Sequence, residues 1–147
     1  MRLRAVLSGM LVAAALCSAS AARADEQSDL EKARAAYLGR RYDEAEERFR
    51  ALLDPAKGGV KDPLLSKQAR MFWAATLVAK KRTDEAVTVL ESIIIDDASF
   101  EPDPLAFPSE VADLYIDTRK RMTDRINAAK QAAARQEAER RLREEAE

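Results

Sequence analysis

Apolar residues recur along the chain at intervals of three and four, the spacing of one face of an α-helix. Leu30, Ala33 and Tyr37 form the first such stripe. It is preceded by Ser28 and Glu31 in capping-box spacing and followed by Gly39, so the pattern predicts a helix between them. A second helix is predicted to open at Asp43, with Glu46 as the reciprocal capping partner, and to bury Ala45, Phe49, Leu52 and Leu53. It stops at Asp54-Pro55, because proline cannot continue the hydrogen-bond ladder.

Pro55, Gly58 and Gly59 make residues 54–62 a loop. Asp62-Pro63 then restarts a helix, with an acid at the cap and a proline in the first turn, where a missing N–H costs nothing. This third helix, from Leu64 to about Lys81, turns Leu65, Ala69, Phe72, Trp73, Thr76 and Leu77 inward. Thr83 caps a fourth, which buries Ala86, Val89, Leu90, Ile93 and Ile94. Three prolines between Asp96 and Pro108 exclude helix and predict an extended arm, pinned by Phe100, Leu105 and Phe107. From Ser109 a fifth helix can run to Glu147. Its apolar stripe of Val111, Leu114, Tyr115 and Met122 ends at Ile126. Beyond that, only alanines and Leu142 stand among many charges, which predicts a distal half extending into water.

The start of the chain has a different pattern. Arg2 and Arg4 precede an uncharged run from Ala5, and small residues lead to Ala22-Arg23-Ala24. This is the three-part form of a secretory leader cleaved after Ala24. The run is short for a membrane span, so the mature chain is expected in the periplasm or outside the cell, with no membrane span after cleavage. Cys17 is the only cysteine and lies inside the leader, preceded by Leu16, which disfavours lipid attachment. The three domains expected are the leader at 1–24, a helical repeat domain with its Pro-rich arm at 25–108, and the long helix at 109–147.

Composition narrows the chemistry. The chain has no His, and no Cys outside the leader. Thiol nucleophiles, His general bases and Cys/His zinc sites are therefore excluded from the mature part. Arg2, Arg4 and Arg23 leave with the leader, so 22 basic and 26 acidic residues remain, net −4. That balance argues against nucleic acid as partner. Asp96, Asp97, Glu101 and Asp103 fit no calcium-loop spacing and lack its glycine. Adjacent acids such as Glu46 and Glu47 diverge on a helix and read as a solvated face. No catalytic residue, metal site or cofactor is expected.

Tyr42-Asp43-Glu44-Ala45 and Thr83-Asp84-Glu85-Ala86 are alike, each with a large apolar residue four positions after its Ala, Phe49 and Leu90. Each also has a small residue twelve positions before that Ala, Ala33 and Ala74. These two helix-turn-helix units resemble the tetratricopeptide family. Small residues at those positions let antiparallel helices approach, and the larger ones fill the space between pairs. The repeat is 41 residues against the family's roughly 34, and the Pro/Gly loop makes up the difference. A looser resemblance, Phe100 to Met122, is to the connector of bacterial envelope proteins in which a short repeat pair leads into a long helix and often a further module such as a PEGA domain.

The resemblance implies an all-α fold of two stacked tetratricopeptide-like hairpins plus the long C-terminal helix, and a protein that binds rather than catalyses. Such arrays hold peptides on the surface formed by the first helix of each pair. Here that implies a groove lined by Leu30, Arg34 and Tyr37 from the first unit and by Gln68, Met71, Ala75 and Val78 from the second. The partner expected is a protein or peptide of the cell envelope. The alternative is a structural module that forms a homo-oligomer through the long helix.

Overall fold

The computed structural model describes residues 24–146. The expected leader, including Cys17 and all of the cleavage motif except Ala24, lies outside the described residues. Among the described residues the fold is all-α, without strands. It comprises α1 (residues 24–38), α2 (Tyr42–Leu53), a 3-10 turn (Pro55–Lys57), α3 (Pro63–Ala79), α4 (Thr83–Asp96) and α5 (Ser109–Ala146). None of these helices is long and apolar enough to cross a membrane. The chain divides into two compact units between Val89 and Leu90.

In the first unit α2 packs on α3. The rings of Phe49 and Phe72 stack with centroids 6.2 Å apart, and Tyr37 of α1 meets Phe72 edge-on at 5.8 Å. Ala33, Ala45, Ala74 and Ala86, the small residues of the repeat, are all completely buried. A larger side chain at any of them would push the helices apart.

Helix α1 begins before the expected capping box. Ser28 is an exposed interior residue, because Glu26 already anchors the preceding turn: its carboxylate accepts from the backbone N–H groups of Lys61, at 3.0 Å, and Asp62. Nor does Glu46 cap α2. That helix starts at Tyr42 behind Arg41, which makes no side-chain cap, and Glu46 is buried instead of solvated. Leu52 and Leu53 are only half-buried. The Asp62 cap is as expected, its Oδ1 accepting from Leu64 N at 2.8 Å and Leu65 N at 3.0 Å.

The two interhelix turns are built alike. Arg41 N donates to Ala36 O and Arg40 N to Tyr37 O. In the second turn, Arg82 N donates to Leu77 O and Lys81 N to Val78 O. The left-handed residue that this C-terminal motif requires is Arg40 (φ 58°) in one and Lys81 (φ 62°) in the other. Neither is glycine, and Gly39 sits one position too early.

In the second unit Leu90, Ile93, Ile94, Val111 and Tyr115 are buried. The arm is non-helical, with Phe100 and Phe107 half-buried, but Leu105 is 94% exposed and pins nothing. Asp103 makes a local turn here by accepting from Leu105 N at 2.9 Å. Phe100 is held twice by Tyr115: ring against ring at 6.3 Å, and through the phenol, which donates to Phe100 O at 2.8 Å. Buried contact along α5 ends earlier than the sequence stripe. Val111, Tyr115 and Thr118 are buried, Leu114 and Met122 half-buried, and Ile126 exposed. Every described residue from 123 onward is exposed.

Candidate functional site: the seam of α1 and α3

Four of the seven residues expected to line the groove are core residues. Leu30, Met71, Ala75 and Val78 are each 4% exposed or less, so their side chains offer no contact surface. Helical spacing alone does not distinguish the stripe facing a groove from the stripe facing a neighbouring helix, and α3 has buried positions nearly all round. Arg34, Tyr37 and Gln68 do reach the surface, each half-buried.

Two of them, Arg34 and Tyr37, pack on Phe72. The guanidinium of Arg34 lies 4.8 Å above the ring, Tyr37 meets its edge, and Gln68 sits one helical turn before it on α3. Tyr42 extends the aromatic row, 6.0 Å from Tyr37. Glu31 holds Arg34 in place through an ion pair of 2.9 Å, while the buried Nε has no acceptor. Burial, with a smaller push from Tyr42, raises the Tyr37 phenol above its ordinary value, so it stays neutral and able to donate. Phe72 itself is 4% exposed and lies under Arg34, so what the seam offers at the surface is the half-buried rings of Tyr37 and Tyr42 with the guanidinium of Arg34 and the amide of Gln68. Such a surface suits a peptide with a hydrophobic side chain and free backbone carbonyls.

Trp73 lies beside this seam in sequence and is half-buried. Its indole N–H is buried without an acceptor.

A second constellation joins the two hairpins. Glu46 Oε2 accepts from Lys80 Nζ and from an Arg82 guanidinium nitrogen, both at 2.7 Å. Lys80 also reaches Asp43 at 2.6 Å, and Arg82 also pairs with Glu85. Burial alone pushes the Glu46 carboxyl up, but the bonds from Lys80 and Arg82 outweigh it and hold the group below the ordinary carboxylate range. Asp43 and then Glu46 raise Lys80, and Glu85 and then Glu46 raise Arg82. Each charge of this node has at least one partner of opposite sign, Arg50 adding a third cation 3.7 Å from Glu46, and the node acts as a staple between the hairpins. Sequence reasoning missed it because its members lie 34 and 36 residues apart. The only signal was that Arg41–Glu44 and Arg82–Glu85 repeat the same i, i+3 pair.

Two open clefts flank α2. One, of about 450 Å³, is lined by Asp43, Glu46, Glu47, Arg50, Asp54 and Lys57. The other, of about 400 Å³, includes Asp29, Arg48, Leu52 and Lys57. Acids and bases border both clefts, with Ala51 in each and Leu52 in the second, and neither is the enclosed, mostly apolar cavity of a small-molecule site. Of the four acids around the arm, Asp97 accepts from Ser99 N and Oγ, and Asp103 accepts from Leu105 N; both therefore serve local turns.

No protein-family model, no curated protein and no solved structure matches the chain.

Proposed function

We propose that the chain is a tetratricopeptide-like adaptor of the bacterial envelope, exported by its N-terminal leader, and that it binds a protein or peptide partner at the seam of Arg34, Tyr37 and Gln68. One observation carries the reading. Two helical hairpins repeat the same turn, hydrogen bond for hydrogen bond, at an offset of 41 residues. Tandem hairpins of this kind have little use for a single catalytic centre and much for an extended surface. The leader pattern and the absence of His and of any Cys beyond it support export and binding over catalysis.

Only three of the seven expected groove residues remain as contacts, so the interface is small and its affinity modest. The test is a photo-crosslinking residue placed at Gln68 in cells, with a second at exposed Leu64 as control. A discrete adduct from position 68, lost on Arg34→Ala/Tyr37→Ala, is expected. Equal adducts from both positions, or an adduct indifferent to that double substitution, would reject the seam.

A further inference from the structure

We infer that the face of α5 running from Met122 to Ala133 is a docking surface for an acidic amphipathic helix of a partner protein. The stripe that packs α5 within its own unit is Val111, Tyr115 and Thr118, all buried. At the same spacing of three and four it continues through half-buried Met122 to Ile126, Ala129 and Ala133, all exposed. The continuation is about 16 Å long, at about 1.5 Å per residue. From residue 123 onward no described side chain is even half-buried, so nothing among the described residues covers this face.

Charge is sorted about this stripe. At about 100° per residue, Arg119 and Lys130 border one side of it and Arg125 the other, each about 50–70° from its centre. Glu110, Asp113, Asp117 and Asp124 lie about 130–170° away, on the far side of the helix, with Lys120 among them. Arg125 and Lys130 have no ion pair among the described residues, and the Arg119 guanidinium lies 5.7 Å from the centre of the Tyr115 ring. Past Ala133 the basic border ends at Glu137, which is engaged by Arg141 at 2.7 Å.

The occupant follows from the sign of the borders and from the side the stripe faces. Basic borders on an apolar stripe complement a helix whose own stripe is bordered by Glu or Asp. A second copy seated stripe to stripe would bring the same three bases against their own kind, which is repulsive. A flat anionic bilayer meets an obstacle. The stripe faces the way that Val111, Tyr115 and Thr118 pack, so the rest of the unit projects on that side, whereas a helix about 10 Å wide fits beneath the overhang. Met122 and Ile126 are the only large apolar side chains of the stripe beyond Thr118, so the affinity is modest and the flanking charges contribute visibly to it.

This surface is independent of the seam, since the two share no residue, and either can fail alone. It is tested on the whole chain by fluorescence anisotropy with a labelled helical peptide, matched to the stripe in length, that carries Leu at helical spacing bordered by Glu. A second peptide has Lys in place of every Glu. In about 0.1 M salt the Glu peptide should bind saturably and about tenfold or more tighter than the Lys peptide. Ile126→Asp/Ala129→Asp and Arg125→Glu/Lys130→Glu should each weaken it about tenfold or more, with helical content unchanged by circular dichroism. Lys120→Glu/Arg121→Glu, which alters net charge as much as Arg125→Glu/Lys130→Glu but lies off the stripe, should stay within about twofold of the wild type. Absence of binding overturns the inference, as do equal binding of the two peptides and a Lys120→Glu/Arg121→Glu variant weakened as much as Arg125→Glu/Lys130→Glu. So do co-sedimentation with phosphatidylglycerol vesicles that Ile126→Asp/Ala129→Asp abolishes, and a wild-type dimer in sedimentation velocity that the same variant dissolves.

Discussion

The left-handed residues of the two turns, Arg40 and Lys81, occupy a backbone region that costs a side-chain-bearing residue about 1–2 kcal/mol. Both side chains are exposed. Arg40→Gly and Lys81→Gly should each stabilise the fold by about 0.5–1 kcal/mol, the relief exceeding the extra chain entropy of glycine. Urea unfolding checks this, and a loss of stability at either position would show that the side chain earns its place. Gly39 is a misleading marker in the sequence because it falls beside the left-handed position. The turn itself is legible from chain length and the recurring Asp-Glu-Ala, but not which residue bears the strain.

Glu46 sets the acid stability of the hairpin pair. Its carboxyl titrates below the ordinary value in the folded chain. Its contribution is therefore complete at neutral pH and is lost as pH falls from about 4.3, the unfolded value, through the lower folded one. Glu46→Gln should cost about 1–3 kcal/mol at pH 7, as loss of charge-assisted bonds. It should also make stability less steep between pH 5 and pH 3 (approximate bounds from the ordinary carboxylate range). Denaturation curves at several pH values read both effects. A variant with the wild-type acid limb would mean that Glu44 and Glu85, which titrate low beside their arginines, carry the dependence instead.

At the scale of elements, the helices were readable wherever a backbone rule is strict. Pro55 ends α2, Asp62-Pro63 starts α3, and the prolines of 102–108 keep the arm non-helical. The failures arose where a distant group changes the local choice: Glu26 extends α1 by binding the loop at Lys61, and Lys80 and Arg82 draw Glu46 into the core. Burial along α5 stops near Met122 for a reason visible in the sequence, the loss of large apolar residues, although Ile126 was expected to pack and does not. Deleting residues 127–147 should therefore leave the melting temperature of the chain nearly unchanged under dilute, high-salt conditions. Deleting from Ser109 removes buried Val111 and Tyr115, worth about 1.5–3 kcal/mol for each fully buried side chain. The second truncation should unfold tens of degrees lower, or fail to fold. A large drop from the first truncation would mean that distal α5 packs on something in the same molecule.

For the whole molecule, the all-α class and the tandem hairpins were legible because they rest on periodicity and small-residue spacing. The binding surface was legible only in part. The same apolar periodicity that predicted the groove also describes helices packed on several sides, and only polar members such as Arg34 and Gln68 signal which stripe is wet. The decisive measurement is the affinity of a partner identified by crosslinking at position 68 for the wild type and for Arg34→Ala, Tyr37→Ala and Leu142→Ala. Expected is a loss of about 1–2 kcal/mol, five- to thirtyfold, for each seam substitution, with no change for Leu142→Ala and unaltered unfolding curves. Wild-type affinity in both seam variants would contradict an adaptor that binds through α1 and α3.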